Sequence, residues 1–339
     1  GQTITIQESD SVVLSTTSVN GGTLNLTAGG AITVDGSVTN VSSLNLSSSG
    51  SIRGVVGAEL SVSGAAHLTG SSITLGSQAG ENINFGSLRV TSSGAVSITE
   101  DSNMQLQGAS TAGSLILRSA TAITDSGSSI TVTGNATVEA GTITFADSSG
   151  ESLNIGGNAL FKSLTGGNIL ISSSGNVQLG SVTFQTTGTV AVTEDGDMQL
   201  AGNSSGQSVV LNSSGQITDN GATITVAGDM QLAGAGIGMS DSVGENLLVT
   251  GNLFLSSTGN AISIGAAGTT NFGSVRFSSA GSVSIAEDSS TDLVGSSSGG
   301  SPSGSSGGSS GGGSSASGSS SDSSSSNSDI ASSTTPPPI

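Results

Sequence analysis

The chain has no cysteine, tryptophan or tyrosine, and only five basic residues and one histidine among 339 residues. The lack of cysteine excludes a disulfide scaffold, a thiolate metal site and a cysteine nucleophile. A single histidine, His67, leaves no imidazole cluster for zinc and little for triad chemistry. Five Lys+Arg stand against 23 Asp+Glu, a net charge of −18, so the cations that phosphate contacts need are missing and nucleic acid is not an expected partner. No apolar run reaches the ~18 residues of a bilayer-spanning helix, so no membrane insertion is expected. Proline is absent from residues 1–295; all four fall later, at Pro302, Pro336, Pro337 and Pro338. A stretch so long without proline suits backbone in which every N–H joins a strand ladder.

What is present divides into two unlike parts. Short apolar runs recur from residue 1 to residue 295 and then stop. Residues 296–339 hold 22 serines in 44 positions, and their only aliphatics larger than alanine are Ile330 and Ile339. Such a segment cannot bury enough apolar surface to offset the entropy of ordering, so a disordered, flexible linker ending in Pro-Pro-Pro is expected. The chain starts at Gly1 with no basic or apolar leader, which reads as a piece of a longer or processed chain.

Residues 1–295 repeat. Val96-Ser-Ile98-Thr-Glu100-Asp101 returns as Val190-Ala-Val192-Thr-Glu194-Asp195 and as Val283-Ser-Ile285-Ala-Glu287-Asp288, with an earlier relative at Ile4-Thr-Ile6-Gln-Glu8. The marker glutamates are 92, 94 and 93 residues apart, giving about three units of ~93 residues. Inside each unit, apolar-x-apolar triads such as Leu88/Val90, Val96/Ile98, Leu115/Leu117 and Ile130/Val132 begin every 7–11 residues. Period-two alternation marks short half-buried strands, and three strands with three turns need roughly 20–27 residues, the coil of a β-solenoid. Four coils then make one unit. The expected fold is all-β, a right-handed parallel β-helix of about thirteen coils and roughly 60 Å in length. Glycine and asparagine would turn the corners, short aliphatics would fill a narrow core, and Ser and Thr would cover the outside.

Runs such as Ser129-Ile-Thr-Val-Thr-Gly-Asn-Ala-Thr-Val138 and Gly251-Asn-Leu-Phe-Leu255 resemble the filamentous-haemagglutinin-like class of giant bacterial surface exoproteins. The resemblance implies export, a parallel β-helix and a role in adhesion or surface architecture, with an extracellular or cell-surface location.

The acids form the most specific pattern. Asp197, Asp219 and Asp241 are spaced by 22 and 22 residues, and Asp101, Asp125 and Asp147 by 24 and 22. At one coil per 22–25 residues these carboxylates would stack along one edge of the rod, where like charges repel and an oxygen-ligated Ca²⁺ would relieve them. The expected calcium column is Glu194, Asp195, Asp197, Asp219 and Asp241, with Asp101, Asp125 and Asp147 in the preceding unit. The competing expectation is that these are turn acids that keep a long rod soluble. Glu100/Asp101 and Glu194/Asp195 also read as carboxylate pairs of a glycoside-cleaving enzyme. That reading is the weakest, because the aromatics and bases that hold sugar are scarce and the pairs recur. The expected function is therefore a non-enzymatic structural segment (stalk, adhesin or matrix fibre), with a glycan- or calcium-binding module as the alternative. Partners on this reading are other copies stacked end to end, or a host-cell, matrix or glycan surface.

Overall fold

The computed structural model describes residues 1–172, 174–294 and 298, so the expected linker at 296–339 lies almost wholly outside the described residues. All 28 strands pair in parallel, with no helix among the described residues, and the chain winds as a β-solenoid of about thirteen turns. Each coil supplies three strand segments, and within a column each segment pairs with those of the neighbouring coils.

Three columns of stacked strands follow from the register. The first starts at Thr3–Glu8 and continues through residues 23–28, 43–48, 65–69 and 87–91. The second runs from Val12–Leu14 through Ile32–Val34, Ser51–Gly54, Ser72–Leu75, Ala95–Glu100 and Ser114–Ser119 to residues 181–185. The third begins near residue 17 and passes through residues 37–41, 59–62 and 82–85.

Alternation places the core. In the second column Ile32, Ile52, Ile73, Val96, Leu115, Ala136, Ala159 and Val182 stack in register, and all are buried. Each fully buried Ile or Leu contributes about 1.5–3 kcal/mol of transfer free energy. The intervening residues face solvent, which is why a chain so poor in charge still shows the half-buried pattern of an exposed sheet.

The sequence reading of four coils per repeat needs a correction. From Glu100 to Glu194 the chain makes thirteen strand segments, counting each bent strand as two, which is four and a third coils. The extra third arises at one recurrent event. The third column ends at residues 82–85, and in the next coil the first column's strand, residues 87–91, is met by the bent strand Met104–Ala112, with Leu88 opposite Leu106 and Thr91 opposite Thr111. Gly108, at φ +75°, makes the bend. One column is lost and one is split, so three columns persist. The event recurs where residues 176–179 end and Met198–Gly206 bends at Gly202, at φ +62°. It recurs again where residues 269–272 end and Leu293 and Ser298 bridge to Val275 and Ser278. Each repeat therefore shifts by one face, and equivalent positions in successive repeats lie on successive sides of the rod.

Candidate functional site

The marker acids sit at these column ends. The Phe85 N–H donates to Glu100 Oε1 (2.8 Å) and the Ile83 N–H to Asp101 Oδ2 (3.1 Å), while the Asp101 N–H donates back to the Ile83 carbonyl (3.1 Å). Two side chains thus replace the missing strand for the last strand of the column. The pattern repeats at Leu179 N–H to Glu194 Oε1 (2.8 Å) and Val177 N–H to Asp195 Oδ2 (2.7 Å). It repeats a third time at Phe272 N–H to Glu287 Oε1 (3.0 Å) and Thr270 N–H to Asp288 Oδ2 (2.8 Å). An N–H left unmade at a buried strand edge costs about 1–3 kcal/mol, so a coil that drops a strand needs such acceptors. Glu8 holds the same place in the first strand, where its Oε1 accepts from the Ser9 N–H (2.9 Å).

The glutamates are deeply buried: Glu100 is 1% exposed, Glu194 3% and Glu287 5%. The other oxygen of each, Oε2, is buried without a hydrogen-bond partner among the described residues. Burial pushes the carboxyls of Glu100 and Glu194 up to about 7, against the opposing pull of the Phe85 and Leu179 N–H groups. The neighbouring charges of Asp101, and of Asp195 and Asp197, add to the rise.

A second group of acids sits at a corner. Carboxylate oxygens of Asp125, Asp147 and Glu151 lie within 4.8 Å of one another, as do those of Asp219, Asp241 and Glu245. Here too the backbone is the partner. The Ala146 N–H donates to Asp125 (3.2 Å to Oδ1), the Gly127 N–H to Glu151 Oε1 (2.7 Å) and the Ser148 N–H to Glu151 Oε2 (2.9 Å). In the next repeat the Ser240 N–H donates to Asp219 (3.2 Å), and the Gly221 and Ser242 N–H groups to Glu245 (both 2.8 Å). Burial raises Asp125, and raises Asp219 to about 6, with the nearby carboxylates of each cluster adding to the rise.

The structure therefore divides the expected calcium column. It brings Asp125 to Asp147 and Asp219 to Asp241, and adds Glu151 and Glu245, which the spacing of aspartates alone did not select. Asp101, Glu194 and Asp195 belong to strand ends instead, and Asp197 accepts from the Gln216 N–H (2.8 Å). One edge does not carry them all, because each repeat is offset by a face. Glu151 and Glu245 were legible as the recurring Gly-Glu pairs at 150–151 and 244–245.

A family model described as repeats of unknown function (DUF5649) matches residues 1–42 and 93–150, under a third of the chain. The two matched stretches begin 92 residues apart, the spacing from Glu8 to Glu100. Neither the curated proteins nor the solved structures provide a match. Over those stretches the chain is similar to a repeat family, and its architecture is that of a β-solenoid repeat protein.

Proposed function

We propose that residues 1–295 are a load-bearing, non-catalytic segment of a secreted or cell-surface protein of the filamentous-haemagglutinin-like kind, serving as stalk, adhesin or matrix fibre. The observation that carries this reading is the continuity of the core through every column loss. The strand-end acids keep the ladder closed wherever a column stops, so length is added repeat by repeat without a break in packing. In such a rod the acids satisfy backbone N–H groups rather than act on a substrate.

The test is to label intact producing cells with an antibody to the solenoid and to delete residues 101–194. That deletion joins equivalent points of two repeats, so the chain should fold and its rod shorten by about 20 Å in small-angle scattering. Label found only inside the cells overturns the surface role.

A second reading is favoured by the two Asp-Asp-Glu clusters: each would hold a divalent cation through carboxylate oxygens. Calorimetric titration with Ca²⁺ checks it. The expected result is two equivalent sites that disappear in the double variant D147N/D241N, and no heat from Ca²⁺ overturns the reading.

A further inference from the structure

Three outward-facing residues stack on consecutive rungs in the third repeat: Gln231 beside Phe254, and Phe254 beside Arg276. The same three rungs of the first repeat carry Asn45, His67 and Arg89. The positions are equivalent, being 92–94 residues apart per repeat, and the second repeat has Thr137, Leu160 and Thr183 there. Twice, then, the solenoid presents an amide, an aromatic ring and a guanidinium in the same order along the rod, and once it presents none of them.

These residues are unusual for this chain. Six of its seven phenylalanines are buried, and Phe254 is the exception. Arg89 and Arg276 are exposed, and they are two of only five basic residues. Arg118, by contrast, is engaged by Glu139 at 2.6 Å. Arg89 donates its Nε–H to the Ala109 carbonyl (2.9 Å), which holds the guanidinium on this face. Each trio lines a shallow depression, of about 260 Å³ at Arg276 and about 220 Å³ at Arg89. No acidic residue is among the described residues that line either one.

We propose that each trio is a binding site for an acidic saccharide unit. Two rung spacings span about 10 Å, the length of one to two sugar rings. The aromatic ring offers an apolar face to the C–H side of a pyranose, and the guanidinium matches a carboxylate in bidentate fashion. The amide supplies both a donor and an acceptor for hydroxyl groups. The two sites are two repeats apart, eight and two-thirds coils or about 42 Å along the rod, and on different faces because each repeat shifts by one side. The proposal does not depend on the stalk reading, since a rod serves equally well with or without ligands on its faces.

The test is a titration of the isotope-labelled protein with a galacturonic acid trisaccharide at low salt, followed by backbone amide shifts, with maltotriose as the neutral control. Saturable shifts are expected around Arg89 and Arg276 and not around Thr183. The surface variant R89A/R276A should weaken binding about tenfold or more. F254L, which installs the residue type of the second repeat, should weaken the third-repeat site alone. Absence of saturable shifts, equal binding of maltotriose, or binding unchanged in R89A/R276A would each overturn the proposal.

Discussion

The first repeat and the later two solve one kind of corner differently. In the first, the residue after strand Ser72–Leu75 is Gly76, at φ +72°. In the others the corner with the same local sequence comes one coil earlier in the repeat, at Ala146 and Ser240, at φ +54° and +53°. Glycine reaches this left-handed region freely, whereas a residue with a Cβ is strained there by about 1 kcal/mol. Where the strain exists, an acid holds the corner N–H: Asp125 for Ala146 and Asp219 for Ser240. Where glycine removes it, the acid is gone, and Gly54 stands in its place. The space is not left open, because a Cβ on Gly54 would collide with Glu81 Oε1. Glu81 has the same local place, five residues after the corner residue, as Glu151 and Glu245, but its Oε1 is buried with no partner among the described residues. One corner can thus be fixed by backbone freedom or by a carboxylate. Only the second solution gathers three acids.

The strand-end acids are common to all repeats and set the scale for this comparison. Replacing Glu194 by Ala leaves the Leu179 N–H without its acceptor at a buried edge and opens a cavity. The expected loss is about 3 kcal/mol in denaturant unfolding. Glu194→Gln keeps an acceptor without the charge and should match or exceed the parent at pH 8.

pH comes next. Glu100 and Glu194 are raised to about 7 and Asp219 to about 6, above the 4.5 and 3.8 of free groups. The folded chain therefore binds protons that the unfolded chain has released, and stability falls as pH rises between about 4 and 7. The melting temperature should be about 5 °C higher at pH 5 than at pH 8. Asp219→Asn should flatten part of that slope, and no substitution at the glycine corner of the first repeat should do so. A melting temperature that rises with pH would break this account.

Transplanting the acid is a sharper trial. Gly54→Asp should cost about 1–2 kcal/mol near neutral pH, because Glu81 already fills the space and a second carboxylate adds like charge. The smallest effects test the strain itself. Ala146→Gly and Ser240→Gly should each raise stability by about 0.5–1 kcal/mol in thermal unfolding. Gly76→Ala should lower it, since its Cβ would also collide with the Thr99 carbonyl oxygen. If all three substitutions are neutral, the acids do not compensate for a strained corner.

Much of this was visible before the fold was known. The triads Leu115/Leu117 and Ile130/Val132 named their own buried positions, and the absence of proline anticipated the ladder. The marker Glu-Asp pairs announced a recurring event, but not its nature. A spacing of 22–25 residues suggested one acidic edge, yet Asp101 ends a strand while Asp125 holds a corner, only a coil apart. Which acid meets which amide depends on a partner 15–24 residues away, as with Glu100 and Phe85 or Glu151 and Gly127. Local pattern carries no record of that pairing.

By itself the sequence determined an all-β solenoid of short strands, its repeat length, its inward positions and its scarcity of bases and aromatics. These follow from period-two alternation and composition, which each residue expresses locally. Tertiary structure alone decided that a repeat is four and a third coils and that its features rotate around the rod. It also decided that the buried acids serve backbone N–H groups, and that Gln231, Phe254 and Arg276 share one face. All of these rest on register between coils. Register is set by which strands stack and where one column ends, a choice made by the packed chain as a whole.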